Sequence, residues 1–97
     1  MRRTNAENIG ELLQHFYDEH PLIRQKLQEV RIRRAWGAVL GNMVMHATRN
    51  LYVKNGILYV SVNSSVLRNE LMLNREGLVK RLNDYAGAEV IRDIVLR

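Results

Sequence analysis

Residues 1–97, of which 46% are hydrophobic and 26% charged, make one globular domain and exclude a disordered chain. With no cysteine there is no disulfide framework and no thiolate metal site, which fits a reducing compartment such as the cytoplasm. Fifteen Lys and Arg against ten Asp and Glu give a net charge of +5, a balance that suits a nucleic acid or an acidic protein partner as well as a plain solvated surface.

The basic start, Met1-Arg2-Arg3, is followed by no apolar run, so neither a signal peptide nor a membrane span is expected. Thr4 and Glu7 have the spacing of a capping box. Behind it, Ile9, Leu12, Leu13, Phe16 and Tyr17 form one stripe of a helix expected from about Asn5 to Glu19. Pro21, the single proline, ends that helix by restricting His20 and can open the next one.

A second helix is expected from about Leu22. Ile23, Leu27 and Val30 make one stripe, and Ile32, Trp36, Val39 and Leu40 continue it with a shift that predicts a kink or break near Glu29. Arg24, Lys26, Arg31, Arg33 and Arg34 crowd the same segment. Gly41-Asn42 is its expected stop.

Met43 to Val53 reads as a first strand and Ile57 to Val62 as a second, joined by Asn55-Gly56. A two-residue type I′ turn needs positive φ at both central positions, which Asn and Gly tolerate. The register then follows: Lys54 faces Ile57, Val53 faces Leu58, Tyr52 faces Tyr59 and Leu51 faces Val60. Alternation puts Leu51, Val53, Leu58, Val60 and Val62 on a buried face, and Tyr52, Lys54, Ile57, Tyr59 and Ser61 on the other.

Asn63, Ser64 and Ser65 supply cap chemistry for a third main helix with Leu67, Leu71, Leu78, Leu82 and Tyr85 on one face. Gly77 inside it costs roughly 1 kcal/mol against Ala and is expected to mark a close approach. Gly87 suits the helix end, and Glu89 to Arg97, rich in β-branched residues, reads as a last strand. That strand can pair parallel with a hairpin strand through a right-handed helical crossover.

Catalytic chemistry finds no foothold. His15 and His20, five apart, do not share a helix face, and no carboxylate completes a metal set. The serines lack a G-x-S-x-G elbow, and no glycine-rich phosphate loop is present. Strand exit and helix cap account for Ser61, Ser64 and Ser65. No cofactor is implied.

Three features have both a structural and a functional reading. Trp36 on an apolar stripe is a core residue first and a partner anchor second. The Tyr52–Tyr59 pair either braces the hairpin or offers rings to a base or a protein. The arginines from 24 to 34 either face water or meet phosphate or an acidic surface.

In order along the chain, Trp36-Gly37-Ala38-Val39-Leu40-Gly41 resembles a W-x-x-V-V/L-G signature, followed by His46-Ala47-Thr48. Gly56 to Val62 resembles G-x-L-x-V-x-V, and Ser64 to Leu71 resembles S-S-x-x-x-x-E-L. Leu82-Asn83, Gly87 and Val90 to Ile94 resemble the tail of the same pattern. These motifs are similar to those of the DciA-like family over almost the whole chain. The resemblance implies a KH-like α+β domain of order α-α-β-β-α-β, a three-stranded sheet with helices packed on one face. It implies a bacterial, non-enzymatic adaptor that binds the replicative helicase of the DnaB type and assists its loading on DNA. Such loaders usually carry a further basic, flexible extension, whereas this sequence stops at Arg97. A nucleic-acid-binding KH domain also needs a G-x-x-G loop, and the glycines at 10, 37, 41, 56, 77 and 87 contain no such pair.

The expected function is therefore a helicase adaptor, with a small DNA- or RNA-binding KH-like module as the alternative. Weak nucleic-acid binding is compatible with either; a membrane or small-molecule partner is not expected. The residues expected to touch a partner or nucleic acid are Arg24, Arg31, Arg33 and Arg34 on the basic helix, and Tyr52, Lys54 and Tyr59 on the hairpin's outer face.

Overall fold

A computed structural model describes residues 2–97, with side-chain surroundings from residue 9 onward. The helices are α1 (Arg2–Glu19), α2 (Pro21–Leu40), α3 (Asn42–Ala47), α4 (Ser65–Leu73) and α5 (Arg75–Ala86). The strands are β1 (Thr48–Lys54) and β2 (Ile57–Val62) ahead of α4, and β3 (Asp93–Leu96) after α5. The sheet order is β1-β2-β3, with β1 antiparallel and β3 parallel to β2. This is the KH-like α+β arrangement, with the helices on one face of the sheet.

The hairpin has the register its turn dictates. Asn55 and Gly56 both take positive φ, 54° and 77°, and Leu51, Tyr52, Val53 and Lys54 stand opposite Val60, Tyr59, Leu58 and Ile57. Inner-face Leu51, Val53, Leu58, Val60 and Val62 are buried, joined by Ile94, the partner of Leu58 on β3. Over them lie Ile32, Ala35 and Trp36 of α2, Leu71 of α4, and Leu78 and Leu82 of α5. Burial of these side chains is the main force holding the layers together.

Ser64 caps α4 by accepting from the Leu67 amide at 3.2 Å, and Gly87 closes α5 in the left-handed conformation. Gly41, at φ 88°, ends α2 as expected.

The structure departs from the sequence-based expectation in several places. Residues 42–47 form α3, not the start of a strand. Gly41 lets the chain turn and restart: its carbonyl accepts from Met45, and the Val44 carbonyl accepts from Thr48 Oγ1 at 2.7 Å. The second helix has no break near Glu29 and runs unbroken from Pro21 to Leu40. Its two apolar stripes serve opposite faces, since at 100° per residue Ile23 and Val30 lie on the far side from Ile32 and Trp36. The third main helix is two helices, separated at Asn74, whose side-chain amide donates to the Glu70 carbonyl at 3.1 Å. Gly77 marks no close approach, because a Cβ there would meet open space. α1 begins at Arg2 rather than Asn5, and the Thr4–Glu7 capping box lies outside the described side chains.

The last strand is shorter than Glu89–Arg97, because the segment before it is tied to α5. Asn83 Nδ2 donates to the Ile91 carbonyl at 2.7 Å, and its Oδ1 accepts from the amides of Val90 and Ile91 at 3.0 and 3.1 Å. One side chain thus does the hydrogen bonding that a ladder would do and seats Val90 and Ile91 in the core. Asn83→Ala strands the Ile91 amide and carbonyl, while the Val90 amide keeps its bond to the Ala88 carbonyl at 2.9 Å, and is expected to cost about 2 kcal/mol in a denaturant titration. A loss under about 0.5 kcal/mol would mean that the loop is held by its apolar contacts alone.

Candidate interaction surface

The sheet face away from the helices is the first candidate. β-Strand alternation puts Tyr52, Ile57, Tyr59 and Val95 there, all half-buried, with Lys54 and Arg97 exposed beside them. Tyr52 and Tyr59 are direct cross-strand partners and stack with centroids 4.9 Å apart and planes 13° from parallel. The Arg97 guanidinium lies over the Tyr59 ring at 5.2 Å. Arg97 follows β3 and Tyr52 lies on β1, so Tyr59, between them, has contacts on both sides of its ring. A nucleobase has no free face of Tyr59 to stack on. Beside the outer face of Tyr52 on the edge strand, this surface offers ring edges, phenol oxygens and the apolar floor of Ile57 and Val95, a mix that suits a protein better than a base.

The basic helix is the second candidate, and the structure divides its cations. Arg33 Nη2 donates to the Leu51 carbonyl at 3.0 Å, and Glu29 Oε2 accepts from the Val53 amide at 3.5 Å. Leu51 and Val53 belong to β1, an edge strand, so these two residues of α2 occupy backbone groups that an edge leaves open to foreign strands. Arg33 is therefore committed to the fold. Lys26 sits 3.8 Å from Glu29, and Arg24 sits 4.0 Å from Asp18 of α1. Arg24 and Arg31 line the groove between α1 and α2. Arg31 and Arg33 point about 160° apart around the helix, so the five cations do not make one patch.

Trp36 is no surface anchor. It is fully buried, and its Nε1 donates to Thr48 Oγ1 at 2.9 Å. The structure thus brings Tyr52, Tyr59 and Lys54 together on one face, and scatters Arg24, Arg31, Arg33 and Arg34 around α2. Sequence reasoning missed Arg97 and Val95 as members of the sheet face; parallel pairing of β3 with β2 is the signal that adds them. Among the described residues, no three His, Asp or Glu side chains converge as a metal set, and no helix is long and apolar enough to cross a membrane.

The family model described as Dna[CI] antecedent, DciA matches residues 8–96. No curated protein matches the chain.

Proposed function

The chain belongs to the DciA family, which is associated with loading of the DnaB-type replicative helicase, and from that premise we propose that it is a non-enzymatic adaptor that binds this helicase through the open face of its sheet. The observation that carries the choice of face is the stacked Tyr52–Tyr59 pair with Ile57 and Val95, an apolar surface on the side of the sheet away from the helical core, left uncovered among the described residues. Aromatic rings already fixed by their neighbours lose little conformational freedom on docking, so more of their burial reaches the binding free energy. Lys54 and Arg97 at the rim would steer an acidic partner surface and set register. In this reading the adaptor acts in the cytoplasm of a bacterium, where the helicase meets DNA, and works by contact alone.

Binding of the purified replicative helicase to two variants tests the reading. Tyr59→Ala is expected to weaken binding at least about tenfold, with little dependence on salt, since apolar burial is poorly screened. Arg31→Glu is expected to change it less. The fold should survive Tyr59→Ala, because a cross-strand pair contributes only about 0.2–1 kcal/mol, and circular dichroism checks this. Unchanged affinity for a folded Tyr59→Ala protein would sink the choice of face. Tight, sequence-preferring DNA binding that persists at physiological salt would instead favour the nucleic-acid module, because phosphate contacts lose affinity steeply as salt rises.

A further inference from the structure

The two-helix arm carries a second apolar surface that the helicase reading does not use. On α1, Ile9, Leu12, Leu13 and Phe16 are 56%, 66%, 48% and 42% exposed; on α2, Ile23 and Val30 are 47% and 41% exposed. Residues 9–16 therefore form an amphipathic stripe whose apolar side lies outside the core. The arm is an antiparallel pair: Tyr17 and Arg24 near its closed end, and Gly10 and Arg31 further along, line one shared groove. Leu13 and Leu27 line that groove too. Helical geometry places Ile9 and Phe16 beside Leu13, and Ile23 and Val30 beside Leu27, both on the side of the arm turned away from the sheet.

Size and charge say what covers this face. Its apolar part amounts to roughly 600 Å², at the upper limit for a monomer's largest patch, and with a polar rim it approaches the roughly 800 Å² per partner of a standard interface. Lys26 and Arg34 border the stripe on α2, and Glu19 borders it on α1. Over residues 9–19 α1 has Glu11, Asp18 and Glu19 and no Lys or Arg, whereas α2 has five cations and one acid. Glu11 and Asp18 lie on the opposite side of α1, so on the face itself the acid is Glu19 on α1 and the cations are Lys26 and Arg34 on α2, an arrangement complementary to itself when a two-fold axis runs along the arm. That axis sets α1 of one copy on α2 of the next and Glu19 near Lys26. The perpendicular axis would lay α2 antiparallel on α2 of the other copy and bring the Lys26 and Arg34 cations of the two copies together, which like-charge repulsion disfavours.

We infer that this face docks a second copy of the same chain, forming a four-helix bundle from two arms. The sheet faces stay outside the bundle, so self-association and helicase binding are separable. Sedimentation equilibrium of the chain alone, across the micromolar range, should report the mass of a dimer. Phe16→Glu and Ile23→Glu change exposed side chains; each should keep its circular dichroism spectrum and sediment as a monomer. Lys26→Glu should weaken the dimer about tenfold, and adding Glu19→Lys in the same chain should restore it, because the swap preserves the pairing only if α1 meets α2 of the partner copy. A wild-type chain that stays monomeric throughout the range overturns the inference. So does a dimer that survives Phe16→Glu and Ile23→Glu, or a charge swap that fails to rescue. A monomer whose helicase binding is lost in Phe16→Glu would assign the arm to the helicase instead.

Discussion

Trp36→Ala is expected to lower the stability of the domain by about 3–5 kcal/mol, the range for emptying a fully buried aromatic site. Trp36 is the largest of the fully buried side chains and sits where α2, α3 and β1 meet. Its removal leaves a cavity that three separate elements would have to collapse into, so the cost should fall in the upper half of that range. It also undoes a relay: Trp36 Nε1 donates to Thr48 Oγ1, which donates to the Val44 carbonyl. That relay fixes the passage from α3 into β1. Trp36→Phe keeps most of the burial and loses the Nε1 bond, so about 1–2 kcal/mol is expected. Chemical denaturation followed by circular dichroism measures both. A Trp36→Ala loss below about 1 kcal/mol would show that α2 does not anchor the sheet through this ring.

What was legible in the sequence depended on how local the cause was. The hairpin could be read residue by residue, because Asn55-Gly56 sets the turn and a two-residue period does the rest. The cap at Ser64 and the stops at Gly41 and Gly87 are equally local. Met43 to Ala47 failed because a short apolar run has no decisive period; the choice of helix is made by Gly41 and by Thr48, whose hydroxyl is drawn to Val44 and Trp36. The stripe shift near Glu29 has a cause other than the expected kink or break, since α2 is continuous there. It marks a helix with two apolar faces, one for the core and one for the arm, not a bend. The work of Glu29 and Arg33 on the edge of β1 was out of reach, since residues 18 and 24 positions apart meet only in the folded chain.

The same limit applies to the candidate surface. Tyr52, Lys54 and Tyr59 were legible as one face because they belong to one hairpin. Val95 and Arg97 reach that face only through the parallel pairing of β3. The arginines looked like a cluster because they are dense in sequence, but a helix distributes neighbours around its axis, and one of them is spent on a strand edge.

Leu58 and Tyr59 allow a direct test of that face assignment, because they are adjacent in β2 and point in opposite directions. Leu58 is fully buried on the central strand, paired with Val53 on one side and Ile94 on the other, beneath the helical layer. Leu58→Ala is expected to cost about 2–5 kcal/mol, with the higher values if the neighbouring side chains cannot relax into the space. The two flanking strands and the helices above restrict such relaxation, so a value above about 3 kcal/mol is expected. Tyr59→Ala, one residue on, should cost no more than about 1 kcal/mol in the same denaturant titration, because its ring contacts only the open face. The ordering should reverse in the helicase-binding assay when both proteins are compared under conditions where they are folded. A Leu58→Ala loss below about 0.5 kcal/mol would mean that the buried face has been assigned one residue out of register, and the docking face with it.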